Sequence, residues 1–300
     1  MPLKSRLSSV QDTATEIAGF GTRFYIVTAT SRTDSDGINA AEAPITTNDG
    51  DRYPHLPRAP IVEAVVDWRT KLTPTFDISK LKQAGELLVP KYRFLDEVRR
   101  VQFQYMVGQQ AGGSEQRQSA RDLGVQGYRF RSEDRLEIAT FKQDGFSFSR
   151  LKPYTRWDSV FSEAERLWAV YRSICQPEEI SRIAVRYINR ISLPLPISDF
   201  GKYLIAPPVV PASLPQLVTS LFFRVVLHEP QSGISTNVTQ VIEGNPEGGN
   251  LPFILDIDAY IAKSMNPNAI EISPQFAMLR EMKNRVFFGA LTDTAIGMFR

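Results

Sequence analysis

Three runs of alternating apolar and polar residues, joined by two short links, constrain this chain most. Tyr128 and Phe130 alternate with Arg129 and Arg131; Glu133-Asp134 turns; Leu136 and Ile138 follow; Asp144-Gly145 turns again; Phe146 and Phe148 close the series. Period-two alternation describes a strand with one wet and one dry face. An Asp-Gly link of this kind joins antiparallel neighbours, because a parallel return needs a crossover of about a dozen residues. The segment therefore predicts an antiparallel meander.

The same grammar extends along the chain. Alternation predicts a strand over 61–69, with Val62, Ala64, Val66 and Trp68 on one face and Glu63 and Asp67 on the other. Further strands are expected at 101–107 (Val101, Phe103, Tyr105 and Val107 inward), 180–193, 221–227, 238–242 and 253–260. The polar stretch Gln109 to Arg121, with Gly112-Gly113, reads as a flexible loop, and Ala206 to Pro215 as a linker. Helices are expected over 78–88, over 157–175, and from a Ser273 cap with Pro274 at the first position. In the second of these, Trp157, Phe161, Ala164, Trp168, Tyr171 and Cys175 recur at helical spacing and share one face. The third carries an apolar stripe of Phe276, Leu279, Met282 and Val286.

Strands that cluster before a helix, rather than alternate with helices, favour an α+β fold with a mostly antiparallel sheet over a doubly wound one. Long amphipathic helices would pack on that sheet. Strands followed by a long helix occur twice, which suggests two similar halves, 57–205 and 206–300, packed as one unit. Residues 1–56 stand apart: Ser31 to Tyr53 is rich in Ser, Thr, Asp, Asn and Gly and reads as a disordered or non-domain extension. Deleting residues 1–50 should leave the melting temperature nearly unchanged.

Charge and cysteine usage bound the function. The 35 basic and 33 acidic residues leave a formal net charge of +2. A strong sequence-independent nucleic-acid binder needs a clear surplus of Lys and Arg. Cys175 is the one cysteine, so no disulfide forms within the chain, and its place in the helical stripe makes it a packing thiol. A single cysteine fits a reducing cytosol. No apolar run reaches the roughly 18 residues that span a bilayer, and the first 30 residues lack a signal peptide's pattern. A cytoplasmic protein without membrane association is expected.

Several chemistries have no motif. His55, His228 and Cys175 are too few and too scattered for a His/Cys zinc site. There is no Gly-x-Ser-x-Gly elbow and no phosphate-binding Gly-x-x-x-x-Gly-Lys. Gly19-Phe20-Gly21 lacks a third glycine in register, and His228 beside Glu229 reads as an ordinary edge histidine. No cofactor is implied. Asp256 and Asp258 project from one strand face about 7 Å apart and could share Mg²⁺; solvation or pairing with arginine is the plainer reading. The most suggestive pattern is the row Arg182, Arg186 and Arg190, which faces away from Ile183, Val185, Tyr187, Asn189, Ile191 and Leu193. Such a row could follow a phosphate backbone, with Tyr128, Tyr187 or Trp68 stacking on bases. It could equally be an ion-pair ladder with Glu63, Asp67, Glu137 or Asp256 from adjacent strands, which the balanced charge favours.

Three blocks in order, Pro57-Arg58-Ala59-Pro60-Ile61-Val62-Glu63-Ala64, then Val185-Arg186-Tyr187-Ile188-Asn189-Arg190-Ile191, then Leu279 to Leu291 with Phe287-Phe288, resemble a sporadically distributed family of bacterial proteins of unknown function. The likeness covers about residues 57–295. Members begin near the Ala-Pro-Ile block, so the first 50 residues depart from the pattern. Patchy occurrence implies accessory genes, such as phage defence or toxin–antitoxin modules. Within these blocks, Glu63 and Arg186 would pair across neighbouring strands. Asn189, on the apolar face, must be hydrogen-bonded and could pin a bulge or loop. The expected function is a non-enzymatic binding or regulatory protein with a protein partner. Nucleic-acid binding through Arg182, Arg186 and Arg190 is the alternative, and a metal-dependent hydrolase using Asp256 and Asp258 the third.

Overall fold

The computed structural model describes residues 52–300, apart from 111–112, 243 and 270–271, and for 102–121 it describes the backbone alone. The described strands are β1 (Ile61–Lys71), β2 (Tyr92–Gln110), β3 (Gly113–Ser132), β4 (Glu137–Lys142), β5 (Gly145–Leu151), β6 (Glu179–Pro194), β7 (Phe222–Glu229), β8 (Ile234–Ile242) and β9 (Asn250–Ile261). They form one sheet in the order β2-β3-β4-β5-β1-β6-β9-β8-β7, and every neighbouring pair is antiparallel. A 3-10 segment (Ile78–Gln83) leads into α1 (Ala84–Leu88); α2 (Trp157–Cys175), α3 (Ile272–Ala290) and α4 (Asp293–Gly297) complete the described helices. The fold is α+β with an antiparallel sheet. Among the described residues no helix is long and apolar enough to cross a membrane.

The meander forms where alternation predicts it, with one change of phase. Tyr128, Phe141 and Phe146 line up across β3, β4 and β5, as do Phe130, Ala139 and Phe148, and all six are buried. The expectation that Leu136 and Ile138 fill the inner face is corrected. The turn runs longer than Glu133-Asp134: Arg135 takes a left-handed φ of 63°, Asp134 accepts from the Leu136 amide, and Ser132 Oγ accepts from the Glu137 amide. The strand therefore starts one residue later, and its odd positions turn inward. At the next turn Gly145 has φ 147°, and a Cβ there would sit 2.1 Å from the Trp68 carbonyl oxygen. Only glycine lets β1 approach so closely.

The expected loop at 109–121 is instead strand. β2 and β3 stay paired from Tyr92↔Ser132 to Gln110↔Gly113. A backbone ladder needs no apolar alternation, so its polar composition concealed it. The inward positions expected at 103, 105 and 107 lie outside the described side chains, and Val101 is exposed.

The expected face of α2 is buried against the sheet, Phe161 only partly, joined by Val160 and Leu167. Trp68 and Trp168 stack with centroids 5.2 Å apart, and Phe276 of α3 packs on Trp68 at 4.7 Å. Each large side chain buried here contributes about 1.5–3 kcal/mol. Gln176 closes α2 in the left-handed region, its amide donating to Arg172 O, ahead of Pro177. α3 begins at Ile272, so Ser273 lies inside the first turn rather than capping it, and its hydroxyl donates to Glu165. Residues 52–56, assigned to the extension by composition, pack on the domain: Tyr53 stacks on Phe288 at 4.9 Å and Leu56 is buried. Two anchors in an aperiodic stretch leave no pattern to read. The rest of that extension lies outside the described residues.

Candidate functional site

Strand alternation puts the arginine row on the sheet face away from α2 and α3, and each of its members meets acid. Arg182 donates to Asp67 at 3.1 Å and to both Asp258 oxygens at 2.8 Å, with its guanidinium 4.5 Å from the Tyr260 ring centroid. Arg186 grips Asp256 through two bonds of 2.9 and 2.6 Å. Arg190 reaches Glu247 at 2.9 Å. Asp256 and Asp258 do share a face, but Arg186 occupies one, while Arg182 and Asn237 occupy the other. Among the described residues no three His, Cys, Asp or Glu side chains gather as a metal site. Glu137 serves elsewhere, pairing with Arg150 and Lys91. Glu63 does not pair directly with Arg186, on which it acts only at longer range; Asp256 is better placed, directly beside the guanidinium. Tyr128, Tyr187 and Trp68, expected as stacking platforms, are buried.

On the helix side, Asn189 is buried and donates to Leu255 O at 2.9 Å. It stands opposite Ile61, where the β1–β6 register slips before Glu63. The register shift lies in β1, opposite Asn189, while the Asn189 amide is spent on Leu255 O of the other neighbouring strand, β9. Cys175 is buried, and burial pushes its thiol up to about 12, so it stays protonated.

A pocket of about 480 Å³ opens above Asn189. Its walls come from the entry to β1, the start of α2 and the second half of α3, with Tyr154, Trp157, Arg280, Lys283 and Phe287 among them. Arg280 and Lys283 lie one turn apart on α3. The Lys283 ammonium sits 4.0 Å from the Tyr187 ring centroid and donates to Asn284 Oδ1. Among the described residues it has no carboxylate partner. Arg280, likewise without an ion pair there, lies 5.9 Å from the Trp157 ring centroid. Burial, reinforced by Arg280, lowers the Lys283 pKa to about 7 against the opposing pull of Glu281. The Tyr154 and Tyr187 hydroxyls are 3.0 Å apart, and burial raises both above the usual phenol range. This pocket therefore offers two cations, one of them easily deprotonated, beside two phenols that remain protonated at neutral pH.

Reading the sequence for motifs missed this site, although a signal existed. Phe276, Arg280, Lys283 and Phe287 recur at helical spacing, so two basic residues interrupt a face flanked by buried phenylalanines. A second, more open groove of about 920 Å³ lies between β7, β8 and α3. Among the described residues β7 is the last strand of the sheet, and Phe223, Val226 and Leu227 are 49%, 55% and 46% exposed there. Neither the models of known protein families nor the sequences of curated proteins match this chain.

Proposed function

We propose that this is a binding or regulatory protein whose ligand is a small anion, a carboxylate or phosphate compound, held beside Lys283 and Arg280. One contrast carries the reading: the arginines on the open sheet face are matched by carboxylates, whereas Lys283 and Arg280 face a cavity with no such partner among the described residues. Cations kept unmatched in a concavity attract anions, and low-dielectric walls strengthen that pull. Trp157 lines the pocket and supplies the readout. Titrating glycolate or inorganic phosphate should change tryptophan fluorescence saturably and raise the melting temperature. Arg280→Ala and Lys283→Met should abolish both responses, and Arg186→Ala should keep them. An equal response in all three variants, or none in the wild-type protein, overturns the proposal.

The apolar side chains exposed on β7 among the described residues favour a second reading, a protein partner added at that strand, since sheet edges accept further chains. Val226→Glu should release a partner co-purified from the native host; no reproducible partner there counts against it. The resemblance to a sporadic bacterial family supports an accessory role in defence or toxin–antitoxin systems, and the lone buried Cys175 supports a cytoplasmic setting. Nucleic acid and a catalytic metal gain less support. A phosphate backbone would have to displace the carboxylates from Arg182, Arg186 and Arg190, and a metal would have to displace those arginines from Asp256 and Asp258.

Strand order supports two similar halves, with the boundary after α2 rather than near 205. β1 is followed by a meander whose last strand, β5, returns beside it, and then by α2. β6 is followed by β7, β8 and β9, with β9 returning beside it, and then by α3. Both helices present a long apolar face to the sheet. On this reading the pocket joins both halves, taking Trp157 from one and Lys283 from the other.

A further inference from the structure

Lys283 differs from every other described lysine in its setting. Lys71 meets Glu179, and Lys91 meets Glu137 and Glu163, while Lys80 and Lys82 are exposed, Lys82 with its ammonium 5.6 Å from the Tyr128 ring centroid. Lys283 alone combines a cavity wall, an aromatic face 4.0 Å away and a bonded pair of phenols around that face. Arg280, one turn earlier, lies where an anionic substituent would be held. An amine beside protonated phenols and a second cation is equipped for carbonyl addition, since the phenols can supply the proton that the departing water needs.

We propose that the pocket captures a small aldehyde bearing a carboxylate or phosphate as a reversible imine on Lys283, with Arg280 holding the anionic end. The neutral Nζ lone pair attacks the carbonyl carbon, a C–N bond forms, the C=O π pair moves onto oxygen, and one of the two Nζ protons passes to that oxygen to make a hydroxyl. The hydroxyl leaves as water with a proton relayed from the Tyr154–Tyr187 pair, and the remaining Nζ proton returns to the phenolate as C=N forms. Water reverses the sequence, and no oxidant or reductant takes part. The inference rests on the anion-binding reading above and specifies its ligand. Charged and titratable groups around the amine are Tyr187 from β6, Tyr154 and Arg156 just before α2 and Asp158 in its first turn, Arg280 and Glu281 on α3, and Tyr53 and His55 before β1.

Glyoxylate with cyanoborohydride tests this on the full chain. Hydride delivered to the imine carbon fixes the adduct as carboxymethyl-lysine, which peptide mass spectrometry locates. Lys283 should be labelled at least tenfold faster than Lys80 and Lys82, with a rate that rises between pH 6 and 8. Lys283→Arg, which keeps the cation, should lose the selective adduct yet still bind glycolate, the alcohol counterpart. Labelling of Lys283 no faster than that of Lys80 overturns the imine. If glycolate still binds in that case, the anion reading survives; if glycolate fails to bind while Lys283 is labelled, the imine stands and the anion reading falls. Should Lys283→Arg misfold, the wild-type comparison with Lys80 and Lys82 decides alone.

Discussion

At the scale of single residues, Lys283 is the side chain that local rules least expect. It interrupts the apolar face of α3, and its proton is disfavoured in the folded state. The unfolded chain holds that proton up to about pH 10.4, whereas the folded one releases it near pH 7. Between those values the unfolded state binds more protons, so stability must rise with pH. The penalty is fully present below pH 7 and fades toward pH 10, where the buried phenols begin to act in the opposite sense. Lys283→Met should remove that slope and raise the melting temperature at pH 6.5 by about 2–6 °C. Thermal melts of both proteins between pH 6 and 9.5 would show it; parallel profiles would refute it. A residue that weakens the fold and remains in a cavity is a candidate for function. Gly145 is the opposite case, demanded by the fold alone. Gly145→Ala should cost about 3 kcal/mol or more, because its Cβ meets the Trp68 carbonyl. Gly233→Ala, also at positive φ but in open space, should cost about 1 kcal/mol. Chemical denaturation of the two variants separates strain from collision.

At the scale of elements, the sheet's open face is held by charge and its covered face by aromatic packing, and the two were unequally legible. Period-two alternation located β1, β6 and β9 and even the outward direction of Arg182, Arg186 and Arg190. It could not say which carboxylates stood opposite, because partner choice depends on strand order, which alternation does not encode. The order puts β1 and β9 on either side of β6, so Asp67 and Asp258 converge on Arg182 from both flanks. The β2–β3 hairpin stayed hidden because a polar ladder leaves no hydrophobic signature. The pocket stayed hidden because its walls come from distant parts of the sequence. Within the ladder the members are unequal. Arg182 and its two acids are 24%, 13% and 20% exposed, whereas Glu247 beside Arg190 is 66% exposed. Arg182→Ala should therefore cost about 2 kcal/mol, because it leaves Asp67 with Arg69 alone and Asp258 with Asn237 alone, and Glu247→Ala no more than about 0.5 kcal/mol. Equal losses in urea denaturation would mean that the ladder is held by geometry rather than by desolvated charge.

At the scale of the whole molecule, the sheet settles how the parts melt. Any division after α2 cuts between β1 and β6, which pair from Ile61↔Asn189 to Lys71↔Glu179, and β6 is in turn zipped to β9. Neither half can leave without baring a central strand edge whose amides and carbonyls have no other partner. The apolar contacts cross the same line: Phe276 of α3 packs on Trp68 of β1, and Val286 and Ala59 touch both buried clusters. Unfolding should therefore be one transition. All three tryptophans, Trp68, Trp157 and Trp168, sit on β1 and α2 within one buried cluster, so fluorescence reports that region while far-UV circular dichroism reports the whole sheet. Thermal and urea curves from the two probes should superimpose, with calorimetric and van't Hoff enthalpies equal. A tryptophan transition that precedes or trails the dichroism signal would show that β1 and β6 part before their halves unfold, and the central pairing would then be a docking surface between two folding units.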